Sequence, residues 1–132
     1  MNIHTFRLKT GEKLKESLNN YSKKKNLSAA IILSVVGGAK EASIRMPGAT
    51  PNKQTIKKIK GDFEVVSIEG TLSKHGCHIH ISLSDKNGQV VGGHLKEMVV
   101  RVTAEVSLLS LNDRKFLREL DEETGFKELS IK

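Results

Sequence analysis

The chain has 132 residues and a formal net charge of +7, with 37% hydrophobic and 28% charged residues. These proportions are typical of one globular domain that is large enough to bury an ordinary core. No apolar run is long enough to cross a membrane, and the first residues lack the apolar core of a secretory signal. We therefore expect a single domain over residues 1–132, located in the cytoplasm and with no membrane partner. The only cysteine, Cys77, excludes an internal disulfide.

The first part of the chain predicts a strand, a helix and two further strands. Residues 3–9 alternate as in a strand, and Glu12–Lys24 carries apolar residues at helical spacing. Residues 28–36 form an almost unbroken apolar run, which predicts a central strand covered on both faces. The pair Gly37-Gly38 predicts a turn, after which Ala39–Met46 returns as another strand.

Residues 49–60 form a basic segment that contains Pro51, so we expect an irregular and mobile loop. Together with the net charge of +7, its lysines make DNA a candidate partner through phosphate contacts. Basic surface is also common in proteins that never bind nucleic acid, so charge alone leaves this question open. The lysines concerned are Lys53, Lys57, Lys58 and Lys60. The cluster Lys23 to Lys25, at the end of the predicted helix, is the alternative contact.

Three charged residues lie in apolar surroundings. Residues 61–72 and 98–111 predict long strands, which contain Glu64 and Glu105 respectively. Each carboxylate is expected either to pair inside the fold or to face a cavity. Arg45, among small and apolar neighbours, is either a surface or interface charge or a group that binds a carboxylate or phosphate.

The tail, from Asp113 to Lys132, predicts a short helical segment and a last strand at residues 128–131.

Residues 77–84 alternate between apolar and polar side chains, as in a strand with one buried face. His78 and His80 occupy polar positions, so both leave the same face of the sheet. Cys77 lies on the apolar side, and we interpret it as a small core residue rather than a reactive thiol.

The hairpin signal Asn87-Gly88 decides where a third histidine, His94, lies. A two-residue loop would place His94 on the wrong face. A three-residue loop closed by left-handed Gly88 places it directly opposite His80. A bulge at Gly92-Gly93 would break this second register.

In the second register, three imidazoles converge from two neighbouring strands. They form the ligand set of a zinc site that keeps an open position for water or substrate. The alternative is that the histidines are half-buried polar residues that bond to one another and to Ser82. If Zn²⁺ is bound, Glu64 or Glu105 is a candidate general acid or base, and Arg45 is a candidate for orienting an anionic substrate.

Residues 61–72, 78–85, 88–95 and 103–106 resemble the plants-and-prokaryotes-conserved (PPC) domain in its stand-alone prokaryotic form. The Gly-Gly-His-Leu block at residues 92–95 makes the resemblance specific. It implies an α+β fold in which a helix packs on an antiparallel sheet, similar to acetolactate decarboxylase, and assembly as a homotrimer. It also implies that the family's histidine positions, where some members carry a metal ion, are His78, His80 and His94.

Three candidate functions follow from these observations. The resemblance implies a DNA-binding or regulatory module, because the family includes plant AT-hook proteins. This chain contains no Arg-Gly-Arg-Pro hook, so DNA contact would depend on surface lysines and would weaken steeply with salt. The alternative is a zinc-dependent lyase or hydrolase that acts on a small carboxylate or ester. A metal that only stabilises the trimer, or a site that senses a small molecule, is a third possibility. We expect no nucleotide cofactor.

Overall fold

The structure is a computed structural model that describes all residues 1–132. One helix and seven strands follow one another along the chain. They are β1 (Asn2–Lys9), α1 (Leu14–Lys24), β2 (Ala30–Arg45), β3 (Ile56–Ser73), β4 (Gly76–Ser84), β5 (Val90–Ser110), β6 (Phe116–Leu120) and β7 (Lys127–Ile131). The main sheet is antiparallel throughout, and the helix packs on it, which confirms the predicted α+β class. No helix is long and apolar enough to span a membrane.

The longest strand, β5, organises the main sheet. One of its edges pairs with β2 along most of its length. The other edge pairs with β1 near the C-terminal end of β5 and with β4 near its N-terminal end. Because β3 joins β2 to β4, the strands β2, β3, β4 and β5 close into a ring at the end of the sheet that carries the histidines.

The helix α1 covers the core side of this sheet. Leu14 and Leu18, one turn apart, are fully buried within a cluster of 22 buried residues. Glu97 of β5 fixes the start of the helix, since its carboxylate accepts hydrogen bonds from the backbone N–H groups of Lys15 at 2.7 Å and Glu16 at 3.1 Å. A carboxylate at this end satisfies free N–H groups and complements the helix dipole. The helix is thereby held against β5.

The predicted turn at Gly37-Gly38 is wrong, because β2 runs through both glycines as one continuous strand. Glycine is required at both positions because the backbone of β5 comes too close to leave room for a Cβ. A Cβ on Gly37 would collide with the carbonyl oxygen of Thr103, and a Cβ on Gly38 would lie 2.9 Å from the carbonyl oxygen of Arg101. The β2–β5 register also shifts at this point, so the glycines accommodate a bulge in β5 rather than a chain reversal.

The prediction that residues 28–36 are covered on both faces is also wrong. Ile32 and Val35 face the core, whereas Leu33 and Val36 are 48% and 60% exposed. The helix covers only one side of the sheet, and the apolar residues on the other side face outward.

The basic segment forms a strand over its second half. Residues 56–60 pair with the end of β2, so Lys57, Lys58 and Lys60 lie on β3 and not in an irregular loop. Backbone hydrogen bonds to β2 impose this conformation on a segment whose composition favours a loop.

The tail contains no helix, and its two strands form the separate β6–β7 hairpin. The turn between them is built by Asp121, whose Oδ1 accepts hydrogen bonds from the backbone N–H groups of Glu123 and Thr124 at 2.8 and 3.2 Å. Gly125 follows with a φ of 73°. This turn chemistry replaces the predicted helical segment, while the predicted last strand is confirmed.

Replacing Gly37 by Ala is expected to lower the free energy of unfolding by about 3 kcal/mol, because β2 and β5 must separate to admit the methyl group. The matched control is Gly11→Ala, at a φ of 91° with no atom within 4 Å of the added Cβ. It should cost only about 1 kcal/mol from backbone strain. Urea denaturation measures both effects, and equal destabilisation would contradict the close approach as the reason for Gly37.

Candidate metal centre

The β4–β5 hairpin sets the positions of the three histidines. Its loop has three residues, 86–88, and ends at Gly88 with a φ of 79°. At its base the backbone N–H of Asp85 donates to the carbonyl oxygen of Gln89 at 2.8 Å. The pairing then runs without a shift until His80 lies opposite His94. The predicted three-residue register is confirmed.

Gly92 and Gly93 allow the strands on both sides of β5 to come close. A Cβ on Gly92 would meet the carbonyl oxygen of Ile81 in β4. A Cβ on Gly93 would lie 2.9 Å from the carbonyl oxygen of Arg45 in β2. The two glycines therefore mark close backbone approach, and they do not interrupt the β4–β5 pairing.

The imidazoles of His78, His80 and His94 converge on the outer face of the sheet. Each offers one ring nitrogen, and the three nitrogens lie within 4.8 Å of one another. The ring of His78 is 4.9 Å, between centroids, from the rings of both His80 and His94. Nε2 of His78 lies 3.1 Å from Nε2 of His80. Zinc binds imidazole nitrogens at about 2.0–2.1 Å, so small side-chain movements suffice to place one ion between the rings.

The environment favours neutral imidazoles. Burial, followed by the positive charge of Arg45, lowers the pKa of His94 to about 4. Burial also lowers the pKa of His78, and positive charge on His80 acts in the same direction. Nδ1 of His94 is buried and has no hydrogen-bond partner. A metal ion requires neutral imidazole and supplies a partner for a free ring nitrogen, so these residues fit a bound metal.

A cavity of about 150 Å³ borders the histidines on the side of the β6–β7 hairpin. Both arginines in its wall are half-buried, and so is its single acidic residue. The cavity is lined by Arg45, Cys77, His78, His94, Arg118, Phe126, Lys127 and Glu128.

Comparison with known proteins identifies the family. Residues 1–112 match the Plants and Prokaryotes Conserved (PCC) domain. The chain belongs to this family. It is the same family that the sequence motifs resemble, also abbreviated PPC. The match ends before β6, so the hairpin that lines the cavity lies beyond the matched residues of this PCC protein.

Individual relatives share the whole PCC domain. The bifunctional protein GlmU of Synechococcus sp. (strain JA-2-3B'a(2-13)) is 31% identical over 132 residues, which is 99% of this chain. The chain spans about a fifth of the length of the curated GlmU relatives, 20% and 21%. Likeness to them therefore concerns one part of a larger protein.

Solved structures give the same fold. A hypothetical protein from Salmonella enterica has a TM-score of 0.93 at 30% identity, covering 99% of this chain and 93% of that chain. A metal-containing protein from Archaeoglobus fulgidus has a TM-score of 0.87 at 30% identity, covering 98% of this chain and 94% of that chain.

A more distant structure relates the fold to acetolactate decarboxylase. It is a Staphylococcus aureus protein similar to that enzyme, with a TM-score of 0.58 at 21% identity, covering 83% of this chain and 52% of that chain. At this identity the likeness concerns the fold alone. It confirms the predicted acetolactate-decarboxylase-like fold.

Of the three residues predicted to act beside the metal, only Arg45 lies next to the histidines of this PCC domain. It pairs with His94 across β2 and β5. Its guanidinium carbon lies 5.0 Å from the centroid of the Phe126 ring.

The structure does not bring Glu64 or Glu105 to the histidines. Both are exposed, on the side of the sheet that the helix does not cover. Glu105 lies opposite Val36, about 36 Å along β5 from His94 at the usual rise per residue. Glu64 lies opposite Ser84, about 13 Å along the sheet from His80. In a sheet covered on one side, these carboxylates reach solvent by simple alternation.

Two other carboxylates, Glu69 and Glu128, lie next to the histidines, and they were not predicted as site residues from the sequence. Glu69 of β3 is the direct cross-strand partner of His80. The β3–β4 register could have identified it, since the strands are joined by a short turn. Glu128 of β7 reaches the cavity only because the tail folds over the sheet.

Lys53, Lys57, Lys58 and Lys60 lie away from the metal centre, and all four are exposed. Lys53 precedes β3, and the other three lie on its first residues. Because strand side chains alternate, Lys58 and Lys60 share one face and Lys57 the other. Lys60 also lies 3.8 Å from Glu41. The lysines therefore form an edge of positive charge rather than one compact patch.

Proposed function

We propose that this PCC domain binds a transition-metal ion, with Zn²⁺ as the first candidate, and that the metal-bearing face recognises a small molecule. The observation that carries the proposal is the convergence of three histidine ring nitrogens within 4.8 Å. The unpartnered Nδ1 of His94 supports it. The metal-containing relative from Archaeoglobus fulgidus, 30% identical over nearly the whole chain, supports it further.

His78, His80 and His94 would hold the ion. Imidazole ligands suit zinc, copper, nickel and iron, and three of them leave a coordination position free. When bound, such an ion supplies Lewis acidity.

The enzymatic form of the proposal is a zinc-dependent lyase or hydrolase acting on a small carboxylate or ester. Glu69 and Glu128, rather than Glu64 and Glu105, are the carboxylates placed to accept or hold a proton beside the histidines. The hydroxyl of Thr124 donates to Oε1 of Glu128 at 3.0 Å and orients this carboxylate.

Replacing His80 by Ala is expected to weaken zinc binding by more than about 100-fold, since loss of a group outside the ligand set already costs about 10–100-fold. The matched control is His75→Ala, because His75 is an exposed histidine in the β3–β4 turn outside the cluster. Calorimetric titration with zinc, on protein purified without an affinity tag, measures both variants. Wild-type affinity in the His80 variant would contradict the assignment.

We also propose that the domain forms a homotrimer through the uncovered side of its sheet. Leu33, Val36 and Val66 surround one shallow hollow there and are between 48% and 60% exposed. Apolar side chains exposed together in this way mark an interaction surface.

Light scattering is expected to give three times the chain mass of 14.6 kDa for the wild type. Val36→Glu should reduce this to a single chain, because a charge cannot be buried unpaired in the contact. Val90→Glu is the matched control, at a valine that is 58% exposed and lies outside the hollow. A single-chain mass for the wild type would contradict the trimer.

The second candidate function is DNA binding, in a regulatory role. The observation that favours it is the free edge of β3, since β4 pairs with β3 only from Glu64 onward. The exposed lysines Lys57, Lys58 and Lys60 lie on this free part. They would contact phosphates without reading sequence.

Replacing these three lysines by Gln is expected to weaken binding of duplex DNA. It should also reduce the slope of log K against log salt concentration, by about 0.9 for each phosphate that the variant no longer neutralises. The variant Lys23→Gln, Lys24→Gln and Lys25→Gln removes the same charge from the end of α1 and is the matched control. Mobility shifts at graded salt measure both. No retention of DNA by the wild type at low salt, or equal weakening in both variants, would contradict DNA binding through β3.

A further inference from the structure

The β6–β7 hairpin forms one wall of the cavity beside the histidines, and it is attached at both ends. At its start, the backbone N–H of Phe116 donates to the carbonyl oxygen of Ser28 at 2.9 Å, and the carbonyl oxygen of Phe116 accepts from Ser73 Oγ at 2.9 Å. At the other end, Phe126 lies under Arg45. The side chains of the hairpin that line the cavity are therefore held in place.

The cavity carries unneutralised positive charge. Three cationic side chains, of Arg45, Arg118 and Lys127, face one carboxylate, that of Glu128. None of the three cations takes part in an ion pair, since the four ion pairs of the chain all involve other residues. An anion that enters the cavity would therefore meet positive groups without competing for them against a bound carboxylate.

Both guanidinium groups are held by uncharged partners. Arg45 lies over the ring of Phe126, and Arg118 donates one hydrogen bond from Nη2 to Oγ1 of Thr71 at 2.6 Å. These contacts restrict the side chains and leave most of their N–H donors free. A restrained guanidinium with free donors binds a carboxylate through two parallel hydrogen bonds.

The cavity volume of about 150 Å³ suits a small ligand, although two further hollows, of about 240 and 330 Å³, also border the histidines. A cavity of this size holds a molecule of about six non-hydrogen atoms, such as benzene, whereas drug-sized ligands need about 300–1,000 Å³. A carboxylate carries its charge at one end, whereas a phosphate group carries charged oxygens on every side. Glu128 in the same wall therefore disfavours phosphate through local repulsion, although the cavity as a whole is positive.

We propose that this cavity binds a small organic monocarboxylate of about six non-hydrogen atoms, with Arg45 and Arg118 recognising its carboxylate and the rest of the molecule lying toward the histidines. The inference rests on the proposed metal centre and names the ligand class of that site.

Lactate is the probe, because it has this size and one negative charge. Calorimetric titration of the zinc-loaded full chain is expected to show saturable lactate binding. Arg45→Gln and Arg118→Gln should each weaken it at least about tenfold. Arg118→Lys keeps the charge without the planar fork and should give an intermediate loss. The matched control is Arg114→Gln, at an exposed arginine outside the cavity, which should leave the affinity unchanged.

Methyl lactate and inorganic phosphate test the ligand class. Both are expected to bind at least about tenfold more weakly than lactate, the first for lack of charge and the second because of its extra charge beside Glu128. The proposal is overturned if methyl lactate or phosphate binds as tightly as lactate, if folded wild type shows no saturable lactate binding, or if both glutamine variants keep the wild-type affinity. Thermal unfolding of each variant establishes that it is folded.

Zinc content of the same samples separates this inference from the metal centre. Arginine variants that keep zinc and lose lactate support the cavity assignment. Zinc binding without lactate binding overturns the cavity assignment alone. Lactate binding that depends on both arginines in a wild type that takes up no zinc overturns the metal centre and leaves the arginine site standing.

Discussion

The pairing of β4 with β5 across the three-residue hairpin determines the geometry of the whole site. A shift of one residue would turn His94 toward the core and separate it from His78 and His80. Gly88, with a φ of 79°, fixes the loop length, and the β4–β5 pairing runs from there to His94 without a bulge. Because β5 also pairs with β2, the same register places Arg45 opposite His94. One hairpin thus positions the candidate ligands and a cationic neighbour together.

One side of the sheet forms the core, and the other side carries the candidate site. Ile79, Ile81 and Leu95, which are sequence neighbours of the histidines, point to the core side and are almost fully buried. They fix the backbone of β4 and β5, so the imidazoles on the outer side rise from rigid strands rather than from loops. The β6–β7 hairpin then covers part of this outer side. It adds Arg118 and Glu128 to a face on which Arg45 and Glu69 already lie beside the histidines.

The sequence predicts the histidine cluster well because both of its determinants are local, namely the period of two in β4 and the turn chemistry at Asn87-Gly88. The prediction fails at Gly37-Gly38, because the need for glycine comes from close approach to Thr103, which lies on a strand distant in sequence. The apolar runs around Glu64 and Glu105 do not reveal which side of the sheet is covered, so these exposed residues resemble buried ones. The site residues of the tail, among them Glu128, depend on how the hairpin packs, which leaves no periodic signal.

The most direct test of the metal centre is anomalous diffraction at the zinc edge, from crystals of protein purified without an affinity tag or chelator. The proposed centre requires one peak per chain, at about 2.0–2.1 Å from one ring nitrogen each of His78, His80 and His94. A peak bound elsewhere would contradict it. So would crystals soaked in zinc that show no peak, with His78 and His80 still bonded to each other at 3.1 Å.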